Sequence, residues 1–234
     1  MTDYGLEIYN NKNILIVDSK YKNYVYHQHG TSFVQANDLT EIDINPFSTN
    51  GVVLTKPTTF YARPYGFIYD STSAEYNKFL LASDATGYID WIIYKDITTV
   101  PSGDYGLNIF DSSGSIVFSS NQLGYFNVLL KSSYSASNET VYDAVNNYFH
   151  IVGIYSGSRS TLYNNRNGRE ELEIERKITG FKRIDSITLG FGEFWFNVEV
   201  IDYGPGSGGG TTVSSKASGS FPQDIIEVKP PPSI

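Results

Sequence analysis

One stretch of the chain occurs twice, and it limits what the whole can fold into. It runs from Asp3 to Ser19 and returns from Asp104 to Ser120, aligned without a gap and continuing to Tyr24/Tyr125 and Val25/Phe126. Asp-Tyr-Gly-Leu-x-Ile is shared outright, and most differences keep their class, as in Tyr9/Phe110, Asn10/Asp111 and Ile16/Val117. A shared segment of this length points to internal duplication.

The repeated stretch has the pattern of a β-hairpin. Leu6 and Ile8 alternate with polar positions, Asn10 to Asn13 break the pattern, and apolar residues resume at Ile14. Comparing the copies assigns the faces: Leu15/Ile116 and Val17/Phe118 are apolar in both, whereas Ile14 is answered by Ser115. The expected core positions are Leu6, Ile8, Leu15 and Val17 in the first copy and Leu107, Ile109, Ile116 and Phe118 in the second. Asn13 and Gly114 fall where a type I turn with a bulge needs a positive φ. Tyr4-Gly5 and Tyr105-Gly106 complete the signature, with the glycine inside a strand pattern marking a bulge or a close backbone approach.

Short aromatic and β-branched segments fill the rest, separated by Gly, Asn, Ser and Pro. The 19 Tyr and 14 Phe suit pleated, half-buried surfaces. The expected class is all-β: two tandem β-sandwich-like domains related by internal duplication, followed by an extended C-terminal tail. The boundaries are a first β-domain at 1–98, a linker at 99–103, a second β-domain at 104–203 and a Gly/Ser/Pro-rich tail at 204–234. Each domain ends on a Trp-containing aromatic strand, Gly87 to Tyr94 and Gly192 to Val200. Glu171, Glu173, Glu175 and Lys177 alternate with Leu172, Ile174 and Ile178, which reads as a charged strand rather than a helix. Residues 221–229 of the tail form a short apolar peptide, with Phe221, Ile225, Ile226 and Val228 as candidate docking residues for a partner's sheet edge.

A net charge of −8 opposes nucleic-acid binding. Cys is absent, so thiolate metal sites and disulfides are ruled out. No signal-peptide pattern and no membrane-spanning apolar run is present, which implies synthesis in the cytoplasm without Sec export. His27-x-His29 places two imidazoles on one strand face, a metal-capable spacing, but no third ligand is identifiable and exposed strand histidines are the plainer reading. Nucleophile-elbow, phosphate-loop and dinucleotide patterns are missing. A non-enzymatic protein without a cofactor is expected.

The segments Tyr4-Gly5-Leu6-x-Ile8-Tyr9-Asn10 and Tyr105-Gly106-Leu107-x-Ile109-Phe110-Asp111-x-x-Gly114-x-Ile116-Val117-Phe118 resemble a group of tailed-bacteriophage virion proteins with a repeated Tyr-Gly-Leu hairpin. Lys56-Pro57-Thr58 to Pro64 and Gly87 to Tyr94 resemble its intermediate strands, and Asn13 departs from its usual Gly. The resemblance covers about half the chain. It implies a structural role in the virion, as a minor tail, tail-tip or fibre-associated component contacting other virion proteins and oligomerising. It supplies no catalytic or receptor-binding residues. The alternatives are a carbohydrate-binding module recognising a host-surface glycan, with tyrosines and Trp91 or Trp195 as stacking residues, and a capsid decoration protein.

Overall fold

The computed structural model describes residues 7–9, 15–18, 23–99, 106–121, 124, 127–134, 138–152, 157–164, 169–205, 212–217 and 223–231. All their regular structure is β, in two large antiparallel sheets that pack face to face and two small hairpin sheets. The first half contributes β3 (Tyr24–Val34), β4 (Asp38–Phe47), β5 (Gly51–Thr55), β6 (Ala62–Asp70), β7 (Glu75–Ser83) and β8 (Gly87–Asp96). The second contributes β11 (Asn127–Tyr134), β12 (Asn138–Thr140), β13 (Tyr148–Val152), β14 (Gly157–Asn164), β15 (Arg169–Arg183), β16 (Thr188–Pro205), β17 (Thr212–Ala217) and β18 (Gln223–Lys229).

The two hairpins are superimposable in register. In β1 (Glu7–Tyr9) and β2 (Leu15–Asp18), Ile8 opposes Val17 and Tyr9 opposes Leu15. In β9 (Asn108–Phe110) and β10 (Ile116–Ser119), Ile109 opposes Phe118 and Phe110 opposes Ile116. Each carries a register shift at the same place, skipping Ile16 in one and Val117 in the other. The second turn has the expected chemistry. Gly114 has φ +79°, its N–H donates to Asp111 O, and the Asp111 carboxylate accepts from the Ser113 and Ser115 amides.

The strand order extends the duplication well past the hairpins. One sheet reads β11-β18-β13-β5-β8-β3 and the path of the other reads β12-β16-β15-β6-β7-β4. Equating β3 with β11, β5 with β13 and β8 with β18 makes the first order a palindrome. Equating β4 with β12, β6 with β15 and β7 with β16 does the same for the second. Each half is thus a sandwich of two three-stranded sheets, and both sheets continue across the seam. There β5 meets β13 at Thr55↔Phe149 and β6 meets β15 at Ala62↔Phe181, both antiparallel, as a local two-fold axis requires. The register carries the equivalence to single residues. Ile92 and Val228 correspond, as do Ile89 and Ile225, and Leu81 and Leu189; all six are fully buried.

This pairing corrects the reading of the C-terminus. Residues 223–229 are not part of a tail. They form β18, hydrogen-bonded on both sides between β11 and β13. The second sandwich therefore does not close at residue 203, and the counterpart of β8 is β18. The stretch from Gly192 to Val200 lies in β16, the counterpart of β7. Beyond the common plan the second half carries an addition: β14 pairs with the first part of β15 and β17 pairs with β14. The Glu171-to-Lys177 stretch is strand, as its period of two implied, but it is paired on both sides, by β14 and β16.

Each half has its own core. Val34, Ile42, Phe47, Val53, Phe79, Leu81, Ile89, Trp91 and Ile93 fill the first, and Val141, Ala144, Phe149, Phe181, Leu189, Phe191 and Ile225 the second. Two further clusters draw on both halves: Leu54, Ile92 and Tyr94 with Tyr148 and Val228, and Ala82 with Ile178 and Phe194. From Trp91 to Tyr94 strand β8 is thus buried on both faces, which explains why that part reads as a continuous apolar run rather than an alternation.

Candidate functional site

A concavity lies at one end of the first sandwich, between the two sheets. It has a volume of about 390 Å³ and is lined by Tyr24, Asn50, Gly51, Phe67 and Tyr76. That falls within the ~300–1,000 Å³ typical of small-ligand sites. Tyr24 opens β3, Gly51 opens β5, and Phe67 and Tyr76 face inward from the β6–β7 hairpin. The loop between β4 and β5 supplies Asn50.

Aromatic packing fixes the lining. The Phe47 ring lies 5.3 Å from Phe67 and 5.5 Å from Tyr76, and Phe67 and Tyr76 are 5.7 Å apart. Tyr69, an exposed residue, meets Tyr76 edge to face at 5.3 Å and extends this aromatic group to the surface. Gly51 is required at its position, because a Cβ there would come within 2.7 Å of the Phe47 ring and 3.2 Å of Tyr94 O. Asn50 is held by both ends: its backbone O accepts from the Asp96 amide at 3.0 Å, and its Nδ2 donates to Asp96 Oδ2 at 3.0 Å. Burial, and then the Asp96 carboxylate, push the Tyr24 hydroxyl above its ordinary pKa, so it stays a neutral phenol.

The second half is built differently at the corresponding end, where the β15–β16 hairpin stops at Arg183↔Leu189 while β6–β7 continues past the equivalent Pro64↔Leu81 to Asp70↔Glu75. There β12 and β13 are joined by residues 141–147, which bury Val141 and Ala144 in the core. This loop is tied to the β15–β16 turn, the Val141 amide donating to Ile187 O and the Ala144 amide to Ser186 O. Glu227 anchors it from β18. The buried carboxylate accepts from the Tyr142 and Asp143 amides at 2.9 Å and from Asn147 Nδ2 at 2.7 Å. The aromatic walls of the cleft, Phe67 and Tyr76, lie in a hairpin extension that the second copy lacks.

The hairpin residues are placed differently from expectation. Ile116 is buried, and so is the bulged Val117, whose carbonyl accepts from the Asn23 amide and Asn23 Nδ2. Leu107 is 51% exposed and Ile8 39%, so neither is a core residue, while Ile109 and Phe118 are only half-buried. The bulge is the physical reason, since it breaks the alternation on which the face assignment depended. Gly106 does mark a close approach, because a Cβ there would lie 2.6 Å from the Asn121 side chain. Tyr9 and Phe110, equivalent in the two copies, are 47% and 49% exposed. Tyr4, Gly5, Leu6, Tyr105 and Phe221 lie outside the described residues, and Leu15 and Val17 enter only through their backbone pairing.

The tail residues singled out for docking are engaged within the chain. Ile225 and Val228 are fully buried and Ile226 packs against the cluster of Leu54, Ile92, Tyr94, Tyr148 and Val228, so the sheet edge that this peptide needs is supplied by β11 and β13. His27 and His29 do not share a face. A bulge leaves His27 without a register partner, its ring packs on Phe47 at 5.2 Å, and its Nε2 bonds Asn45 O, while His29 bonds the Tyr26 hydroxyl. Among the described residues no group of three His, Asp or Glu side chains is placed to hold a metal ion, and no helix is long and apolar enough to cross a membrane. Sequence reasoning missed the cleft. The Asn50-Gly51 pair between two apolar segments is a turn signal that marks its rim, but nothing local announces that Tyr24 and Tyr76 converge there.

Comparison with protein-family models, curated proteins and solved structures finds no match.

Proposed function

We propose that the protein is a structural component of a tailed-phage virion, a minor tail, tail-tip or fibre-associated part that works through protein–protein contacts. The observation that carries this reading is the paired hairpin. Two copies with identical register sit in sheets of their own, outside both large sheets, and each presents an exposed aromatic at the equivalent position, Tyr9 and Phe110. Ile8 and Leu107 add exposed aliphatic surface beside them. Aromatic residues in that setting are the type that anchors interfaces, and a large apolar residue exposed in duplicate serves contact better than it serves folding. The resemblance of the Tyr-Gly-Leu signature to virion proteins agrees. So do sheets that run through both halves, and an acidic balance that suits a soluble assembly part.

The test is particle incorporation. Tyr9→Ser combined with Phe110→Ser should leave the melting temperature within a few degrees of the parent while removing the protein from purified particles. Unchanged occupancy in particles carrying the double variant would overturn the reading. Labelling the protein and imaging particles by electron microscopy distinguishes a tail location from capsid decoration.

A further inference from the structure

We propose that the open end of the first sandwich is a glycan-binding site that seats a neutral pyranose between Tyr24, Phe67 and Tyr76. This does not depend on where the protein sits in a particle, and three observations carry it.

The first is the contrast between the copies. The β6–β7 hairpin runs on past the Pro64↔Leu81 pair to Asp70↔Glu75, whereas its counterpart β15–β16 stops at the equivalent Arg183↔Leu189 pair. Phe67 and Tyr76 therefore belong to an extension that the first copy alone carries. The cleft they wall is not a requirement of the shared fold.

The second is the chemistry of the lining. Among the described residues two tyrosines, a phenylalanine, a primary amide and a glycine form it, and the charge nearest to them is the Asp96 carboxylate behind Asn50 and Tyr24. A lining of that make-up presents aromatic faces and neutral hydrogen-bonding groups rather than a cation for a phosphate or carboxylate. It matches a ligand with C–H faces that stack on aromatic rings and hydroxyl groups that need hydrogen bonds. A sugar ring has both.

The third is pre-organisation. Asn50 is exposed on the rim, yet its Nδ2 is tied to Asp96 Oδ2, which holds the side-chain amide in place. The rings are braced by Phe47, which is itself buried. Tyr69 continues the aromatic surface outward beside Tyr76, where a second sugar residue of a chain would lie.

The experiment is saturation-transfer NMR on the full chain with methyl glycosides of glucose, galactose, mannose and N-acetylglucosamine. At least one should receive saturation at its ring C–H protons. Asn50→Ala and Tyr76→Ala should each weaken its binding by tenfold or more, and Tyr88→Ala, which alters an exposed aromatic elsewhere, should not. Asn50 is exposed, so its variant reports on binding even if Tyr76→Ala fails to fold. No transfer to any of the glycosides, or transfer that Asn50→Ala leaves unchanged, overturns the proposal. Neither outcome bears on the hairpin test, which reads particle incorporation alone.

Discussion

Thr55 and Phe149 face each other in register at the seam of the larger body, occupying equivalent positions in the two halves. Ala62 and Phe181 do the same in the other sheet, and the two phenylalanine rings lie 6.0 Å apart. A small residue opposes a large one at both crossings. A bulky residue repeated on both sides would meet itself at the axis, and the small–large pairs avoid that clash. The Thr55 hydroxyl is left buried without a hydrogen-bond partner. Thr55→Val keeps the shape and removes the unsatisfied group, so it should stabilise the chain by about 1 kcal/mol. A rise in the urea midpoint with an unchanged m-value checks this.

The position of β18 predicts how the protein responds to truncation. Removing residues 223–234 takes away the middle strand of a three-stranded sheet, the buried Ile225 and Val228, and the carboxylate that holds loop 141–147. The second sandwich should unfold, seen as loss of near-ultraviolet circular dichroism and rapid proteolysis. The single change Glu227→Ala should already cost about 1–3 kcal/mol, because it removes the acceptor of two part-buried backbone amides and of the buried Asn147 side chain. A truncated chain as stable as the parent would contradict the pairing.

The hairpin was legible because turn chemistry is local: Asp111, Ser113 and Gly114 set their geometry among themselves. The strands and the all-β class were legible for the same reason. Long-range pairing was not. The strand that completes the second sandwich is reached only after β17 and segments rich in Gly, Ser and Pro, so the composition there suggested a tail where the sheet has its centre. Bulges defeated face assignment at Val117 and at His27, since one extra residue reverses every side chain beyond it. The cleft was hidden because Tyr24, Asn50, Phe67 and Tyr76 come from four separate segments and share no motif.

Gly30 and Trp91 are paired across β3 and β8, and the indole lies over the glycine. A Cβ on Gly30 would sit 2.5 Å from Trp91 Cζ2, and the indole is pinned on its other sides by a hydrogen bond to Ser32 Oγ at 2.9 Å and by the Phe79 ring at 5.1 Å. The ring cannot retreat without losing those contacts. Gly30→Ala should therefore destabilise the protein by about 1–3 kcal/mol despite the better strand propensity of alanine. A blue- or red-shifted tryptophan emission in the folded variant would report the displaced indole, whereas an unchanged spectrum and midpoint would show that the site has slack.

His150 follows the Thr55↔Phe149 pair that joins β13 to β5, and its Nδ1 lies 3.0 Å from Val53 O. The carbonyl can only accept, so the neutral ring carries its proton on Nδ1. Burial lowers the imidazole pKa to about 4, the bond to Val53 opposes the shift, and the nearby Arg63 guanidinium adds to it. The unfolded ring titrates near ~6.5. Between those values the unfolded chain binds the extra proton, so stability rises with pH across this window. The contribution of the neutral ring is complete above the unfolded pKa and is lost as pH falls through 6.5 toward 4. Its size is at most about 3 kcal/mol. Denaturant midpoints measured from pH 4 to pH 7.5 should fall on acidification, and His150→Gln, which keeps a donor for Val53 O but does not titrate, should flatten that fall. A variant with the parent's full pH slope would place the titrating group elsewhere.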